Sequence, residues 1–469
     1  MRFDTVVMAL PQNSINSTVC AIATPAAVGG ISVVRISGER AVEIAEKVFR
    51  PVSGKPISEM NGYTAAYGKI YDGGERLDDG VLLVFRAPHS YTGEDTCEIS
   101  CHGGIYVTRR VMTACLKAGA APAAAGEFTK RALLNGKMSL TEAEAVADMI
   151  AAQGEQSLSC SNSQREGALY RRAEAIADMI MDVSAQISAW IDYPEDDTPT
   201  VTEEWLQERL NVIKAELDGL LSGYDTGRMI REGISCAIVG KPNVGKSTIM
   251  NALSGVRRSI VSDIAGTTRD IVEETVNLNG TVLLLSDCAG IRETDDEIEK
   301  IGVEIMLQKL ENADIMLAVF DGSRTFEDED RRLIERLSGK TVMPVVNKSD
   351  LENRLDISEI TRALGEPPLK ISAKNDDPAE LLGGEITKRL RLDRLDASAG
   401  FLANERQRAC VIAAAEAVDS ALAAAVSGVT PDVIGVDLER ALDSICELSG
   451  KRASDEVINE VFKRFCVGK

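Results

Sequence analysis

The chain has 469 residues, a formal net charge of −21 and only 4% aromatic residues. That length points to two to four domains rather than one core, and the aromatic-poor, aliphatic-rich mix disfavours an all-β sandwich. So negative a surface opposes unaided binding to a polyanion, so a nucleic-acid substrate would need a local basic patch or a basic partner.

Ten cysteines lie scattered between Cys20 and Cys466 with no spacing that suggests a disulfide framework, which fits a reducing compartment. Met1 to Thr18 contains one Arg and no long apolar run, so no signal peptide is expected. No stretch approaches the roughly 18 consecutive apolar residues of a membrane span. The expected location is cytoplasmic, without a membrane partner.

In chain order, residues 1–135 read as an α+β domain. Ile31 to Ile36 is a β-branched strand between glycines, Ala41 to Phe49 a helix, Gly80 to Arg86 a strand ended by Pro88, and Thr96 to Cys101 another strand. Cys97, Cys101 and His102 raise a metal reading. The strand pattern and a total of two histidines favour a structural role instead.

Residues 136–230 turn helical. Ile176, Ile180, Val183, Ile187, Trp190 and Ile191 recur at helical spacing, and Leu206, Leu210, Ile213, Leu217 and Leu220 repeat the pattern after Pro194. Thr200 with Glu203 resembles a capping box at the second start. Residues 231–390 alternate strands and helices in the doubly wound α/β manner. Residues 391–469 return to Ala-rich helix. The helical region is therefore interrupted by an α/β insert, and its two halves are expected to pack together.

The insert carries the strongest motif. Gly240-Lys241-Pro242-Asn243-Val244-Gly245-Lys246-Ser247, followed by Thr248, leaves an apolar strand and opens a helix. Glycines let backbone amides wrap phosphates, Lys246 reaches the terminal phosphates and Ser247 can ligate Mg²⁺. Asp287-Cys288-Ala289-Gly290 ends a second strand, with Asp287 suited to the Mg²⁺ shell and the Gly290 amide to the γ-phosphate. Asn347-Lys348-Ser349-Asp350 follows a third strand, Thr341 to Val346. One carboxylate, Asp350, can accept from both the ring N–H and the exocyclic amine of guanine, whereas adenine would leave it unpaired. Ser372-Ala373-Lys374 follows at the distance needed to close over the base. Four ordered elements indicate GTP over ATP. The residue after Gly290 is Ile291, which cannot orient a water as the glutamine of Ras-like enzymes does.

These residues, with others, resemble the tRNA-modification GTPases of the MnmE (TrmE) family over nearly the whole chain. The N-terminal part carries Arg35-Ile36-Ser37-Gly38, Ser90-Tyr91-Thr92-Gly93-Glu94-Asp95, Glu98, His102-Gly103-Gly104, Gly126-Glu127-Phe128-Thr129-Lys130-Arg131-Ala132 and Asn135-Gly136-Lys137. The insert adds Asp263-Ile264-Ala265-Gly266-Thr267-Thr268-Arg269-Asp270, and the chain ends Cys466-Val467-Gly468-Lys469.

The resemblance implies a multidomain protein: an N-terminal α+β tetrahydrofolate-binding domain, a split α-helical domain and an inserted Ras-like α/β G domain. It implies a homodimer that works with the flavoprotein MnmG to install an aminomethyl-type group on carbon 5 of the tRNA wobble uridine, using a 5,10-methylene-tetrahydrofolate carbon. Residue by residue, Arg35, Glu98, Lys137 and Lys469 match folate-contacting positions. A donor-rich pterin edge suits Glu98, and an anionic tail suits Arg35 or a lysine. Asn243, Ser262, Ile264 and Thr267 match a K⁺ site beside the phosphates, Thr268 a third Mg²⁺ ligand, and Asp263 to Asp270 the switch region, with Ser262, Asp263, Ile264, Ala265, Gly266, Thr267 and Thr268 as nucleotide-binding positions. Glu299 matches the carboxylate that positions water, a role Ile291 cannot fill. Cys466 matches a cysteine near the family's C-terminus; a thiolate nucleophile and a structural thiol both remain open there. Departures are Ala124-Ala125 before Gly126, Val28 in the early glycine segment and Cys288 after Asp287. The G domain alone also fits a regulatory or ribosome-assembly switch; such an RNA binder should carry a basic module, and none is visible in the sequence.

Overall fold

A computed structural model describes residues 17–192, 201–256, 273–278, 280–287, 313–392, 397–463 and 465–469. The chain gathers into two compact units, Met1–Ala147 with Ser449–Lys469, and Asp148–Leu448.

The first unit is built on β1 (Val19–Ile22), β2 (Ile31–Ser37), β3 (Phe49–Pro51), β4 (Thr64–Asp72), β5 (Glu75–Phe85), β6 (Thr96–His102) and β7 (Ala121–Pro122). They form one sheet in the order β3-β4-β5-β6-β2-β1-β7, antiparallel except for the β1–β7 edge. Side chains alternate across the pleat. Val34 and Ile36 of β2 and Cys97, Ile99 and Cys101 of β6 therefore share one face, in a core with α1 (Ala41–Val48) and α2 (Ile105–Lys117). Arg35 and Glu98, of opposite parity, are paired in register on the other face. Burial pushes the Cys97 thiol up to about 12, so it sits in the core as a neutral thiol. His102 belongs to the opposite parity and pairs its Nδ1 with Asp78 at 2.8 Å.

The sequence assigns 136–147 and 449–469 to the helical region, but they cluster with this sheet. Ala143 of α4 (Leu140–Ala151) packs with Ile458, Phe462 and Phe465, a small apolar core of its own. Before it, α3 (Glu127–Leu134) buries Arg131 at 2% exposure, paired with Glu127 at 3.0 Å and Glu94 at 3.1 Å.

In the second unit, α6 (Ala168–Asp192) and α7 (Glu203–Ser222) share a core with the helices Glu405–Val426 and Pro431–Ser449. Ile180 and Ile187 meet Leu210 and Leu217 there, along with Ala414, Val418, Leu438 and Ile445. The two halves of the interrupted helical sequence thus bury a common apolar surface, which favours association by roughly 25 cal/mol per Å². The stripe of α6 runs on to Trp190, half-buried against that core, while Ile191 is exposed. The cap of α7 is Thr202, which accepts from the Trp205 amide at 3.2 Å. With the helix starting at Glu203, that carboxylate is the first helical residue rather than the third, so it cannot close a box. Thr200 lies outside the described residues.

Glu405–Val426 corrects another expectation. At 22 residues it is, by length and composition, long and apolar enough to cross a membrane. Glu416 and Asp419 interrupt its apolar run, so no 18 consecutive residues are apolar. Its Val411, Ala414, Val418 and Ala421 are fully buried in the helical core.

The inserted sheet has the order β13-β12-β11-β8-β10-β9, formed by β8 (Ile234–Val239), β9 (Glu273–Leu278), β10 (Thr281–Asp287), β11 (Ile315–Asp321), β12 (Val342–Asn347) and β13 (Leu369–Lys370). All are parallel except β9, which forms a hairpin with β10. Parallel strands covered on both faces read as continuous apolar runs, as Ile315–Asp321 does, buried throughout. One face packs on α9 (Lys246–Val256) and the helix Pro378–Arg389. The other packs on Asp328–Arg336 and Ile357–Leu364. From β8 the chain goes to β10 on one side and returns to β11 on the other, so the strand order reverses at β8. Ligands of open α/β sheets bind outside the carboxyl ends of the strands at such a point. The β9–β10 turn rests on α5 (Glu155–Arg165), where the Gln156 amide donates to Gly280 O at 3.3 Å and Thr281 Oγ1 donates to Gln156 Oε1 at 2.9 Å.

Candidate functional site

The loop Gly240–Gly245 leaves β8 at this switch point and opens α9. Two glycines are required by geometry. Gly240 has φ +154° with the Val319 carbonyl oxygen in the space a Cβ would take, and Gly245 has φ +101° with the Asn347 side chain in that space. Asn243 holds a left-handed φ of +66°. The Lys246 ammonium donates to Gly240 O at 2.8 Å and Lys241 O at 2.9 Å, so the lysine lies across its own loop. Ser247 and Thr248 follow in the first turn of α9, both exposed. The N-terminal amides and positive dipole end of that turn suit phosphate, and the Ser247 hydroxyl is a hard oxygen donor that suits Mg²⁺.

Asn347 joins the three loops that sequence spacing singles out. Its Nδ2 donates to Val244 O at 2.9 Å, and its Oδ1 accepts from the Ala373 amide at 2.9 Å. Asp350 accepts from Ser372 Oγ at 2.7 Å, which aims the carboxylate, and the Ser372 amide donates to Asp376 at 2.6 Å. Lys374 is exposed at the same loop. The backbone of Asp287 closes β10 in register with Ile238, next to the strand that feeds the phosphate loop. Ser262, Asp263, Ile264, Ala265, Gly266, Thr267, Thr268, Cys288, Ala289, Gly290 and Glu299 lie outside the described residues. Among the described residues no cluster of three or more His, Cys, Asp or Glu could hold a metal ion.

Three residues that the motifs did not single out in these roles belong to this assembly. Lys348, at φ +64°, donates to Asn243 O at 2.9 Å and to Asp321 at 2.6 Å. Lys241 pairs with Asp330 at 2.7 Å and Glu327 at 2.8 Å. Burial opposes charge on Asp321, but hydrogen bonds from Lys348 and Ser323 outweigh it and hold the carboxyl below the usual range. A cavity of about 190 Å³ lies beside the loop, lined by Lys241, Asn243, Asp321, Arg324 and Asp330 among others. The available signal was a carboxylate ending a strand at the binding edge of the sheet.

In the first unit, the four positions matched to folate contacts lie on β2, β6, the segment after α3 and the C-terminal tail. Arg35 Nε donates to Glu98 Oε1 at 2.8 Å and its Nη1 to Gly468 O at 3.3 Å. Its guanidinium lies 5.3 Å from the Phe128 ring and 5.9 Å from that of Tyr91. The tail is held by the Gly126 amide on Cys466 O at 3.2 Å and the Phe128 amide on Lys469 O at 3.2 Å. Lys137 donates to Pro88 O at 3.1 Å, on the loop that carries Tyr91. Arg35 and Glu98, both matched to folate contacts, are thus ion-paired with each other across neighbouring strands. Cys466 is the one exposed cysteine among the described residues.

The family model described as the MnmE helical domain matches residues 140–466, and that described as the GTP-binding protein TrmE N-terminus matches 18–137. The chain belongs to the MnmE family. Curated relatives named "tRNA modification GTPase MnmE" include that of Listeria welshimeri, 40% identical over 96% of this chain and 99% of its own length. That of Clostridioides difficile is 37% identical over 97% of this chain and its full length. That of Symbiobacterium thermophilum is 39% identical over 96% of this chain and 99% of its own. The MnmE match spans both units.

Proposed function

We propose that this chain is a GTPase of tRNA modification, binding GTP across Gly240–Thr248, Asn347–Asp350 and Ser372–Lys374. The observation that carries the reading is Asn347, whose side chain ties the phosphate loop to the loop that closes over the base. Asp350, aimed by Ser372, reads the two donors of guanine. Lys246 and the first amides of α9 bind the β- and γ-phosphates. We assign Mg²⁺ to Ser247, Thr268 and Asp287, and K⁺ to Asn243, Ser262, Ile264 and Thr267. When bound, the two cations neutralise charge building on the transferring phosphoryl group. Glu299 orients the water whose oxygen bonds to the γ-phosphorus as the β–γ bridging bond breaks, leaving GDP and phosphate.

In this reading Arg35, Glu98, Lys137 and Lys469 hold a tetrahydrofolate derivative. Arg35 and Glu98 take one end, and the lysines take the anionic tail. The protein works in the cytoplasm as a homodimer with MnmG on the tRNA wobble uridine, and Cys466 lies on the folate side as a candidate nucleophile. A phosphate-release assay with GTP and ATP, in KCl and in NaCl, tests the nucleotide reading. Turnover of GTP alone, stimulated by K⁺, is expected; equal turnover of ATP contradicts the base assignment, and equal rates in Na⁺ contradict the K⁺ assignment.

A further inference from the structure

The base loop and the phosphate loop are joined by a second link besides Asn347, and that link ends on a residue outside every nucleotide motif. Lys348 Nζ reaches the carbonyl of Asn243 at 2.9 Å and Asp321 Oδ2 at 2.6 Å. Asp321 is 5% exposed and closes β11, the strand beside β8. Its other oxygen, Oδ1, accepts from the Ser323 amide at 3.0 Å and the Ser323 hydroxyl at 2.6 Å. Those two bonds leave Oδ2 directed at the ammonium. Arg324 approaches the same oxygen only at 3.6 Å and is itself 59% exposed, so Lys348 is the close partner.

A lysine has a flexible four-carbon stem and a point charge that many acceptors can claim. Held by one neutral carbonyl, it would sample other rotamers; held by a buried, pre-aimed carboxylate, it has one position. We propose that Asp321 is a positioning residue for the nucleotide: by fixing Lys348 against Asn243 O it latches the base loop to the phosphate loop, and so slows nucleotide release. The inference rests on reading these loops as the guanine nucleotide site. The neighbouring Lys241–Asp330 pair tethers the same phosphate loop to the helix Asp328–Arg336, so loosening Lys348 frees one side of a loop whose other side stays anchored.

The test is release of a fluorescent GDP analogue from the full chain, chased with unlabelled GDP in a stopped-flow instrument. Asp321→Asn should speed release about tenfold, the scale of one charge-assisted contact. Lys348→Met should do the same, and the double variant should release no faster than Lys348→Met alone, because Asp321 acts through that lysine. Release at the wild-type rate in Asp321→Asn overturns the proposal. So does multiplication of the two effects in the double variant, which is what independent structural damage would give. Should Asp321→Asn fail to fold by circular dichroism, Ser323→Ala, which removes the hydroxyl bond to Oδ1 and leaves only the amide to aim the carboxylate, decides: faster release supports the latch and an unchanged rate refutes it. A wild-type chain that bound no GDP analogue would instead sink the nucleotide-site reading beneath it.

Discussion

Gly245 has no room for a side chain: its φ is +101° and the Asn347 amide fills the space a Cβ would occupy. Gly245→Ala should displace Asn347 from Val244 O and weaken GTP binding by at least about tenfold, measured by titration calorimetry. Arg131 is a second residue with little freedom, 2% exposed between Glu94 and Glu127. Arg131→Ala leaves two carboxylates facing a cavity and should cost about 3 kcal/mol of unfolding free energy, read from urea denaturation of the first unit's transition. His102 gives a pH signature. Its hydrogen bond to Asp78, and then that residue's charge, raise the imidazole above its ordinary 6.5. The pair therefore supports the folded state below about 6.5, and that support is lost as pH rises through the higher folded value. With two histidines in the chain, the His102 ring resonance can be followed by NMR: it should titrate above 6.5, and Asp78→Asn should bring it back. At this scale the motif residues were legible because phosphate and guanine chemistry demand glycine, lysine, serine and aspartate at fixed spacing. Asp321 was not, since a lone carboxylate 27 residues from its lysine carries no spacing signature.

Among the elements, the long apolar runs of β8, β11 and β12 and the stripes of α6 and α7 could be read from the sequence because one local period fixes each. The short strands β3 and β7 could not, since two or three residues become a strand only through partners far away in sequence. The cap of α7 lies two residues beyond Thr200, because Thr200 and Thr202 both stand within three residues of Glu203 and only the first helical turn decides which hydroxyl caps. Helix Glu405–Val426 has a clearer start. Asn404 accepts from the Gln407 amide at 2.9 Å, and Gln407 in turn accepts from the Ala403 amide at 2.7 Å. Asn404→Ala should lower stability by about 1 kcal/mol; the check is a shift of the urea midpoint at an unchanged m-value. Because that helix shares its core with α6 and α7, the loss should appear in the transition of the second unit.

For the whole molecule, the interrupted pattern of helix, α/β insert and helix was visible in composition and period alone. The division into compact units at Ala147 and Ser449 was not, because it depends on where Ile458, Phe462 and Phe465 find Ala143, a pairing no local pattern encodes. One chain carries the proposed guanine nucleotide site in its second unit and the Arg35–Glu98 pair in its first. With a net charge of −21, such a chain should meet tRNA through a partner's basic surface. The most direct test is nucleoside mass spectrometry of tRNA from cells lacking this gene, bare or restored with wild type or Asp350→Asn. The account predicts loss of the carbon-5 substituent on the wobble uridine, recovery with wild type and no recovery with Asp350→Asn; a wobble uridine that keeps its substituent without the gene would contradict it.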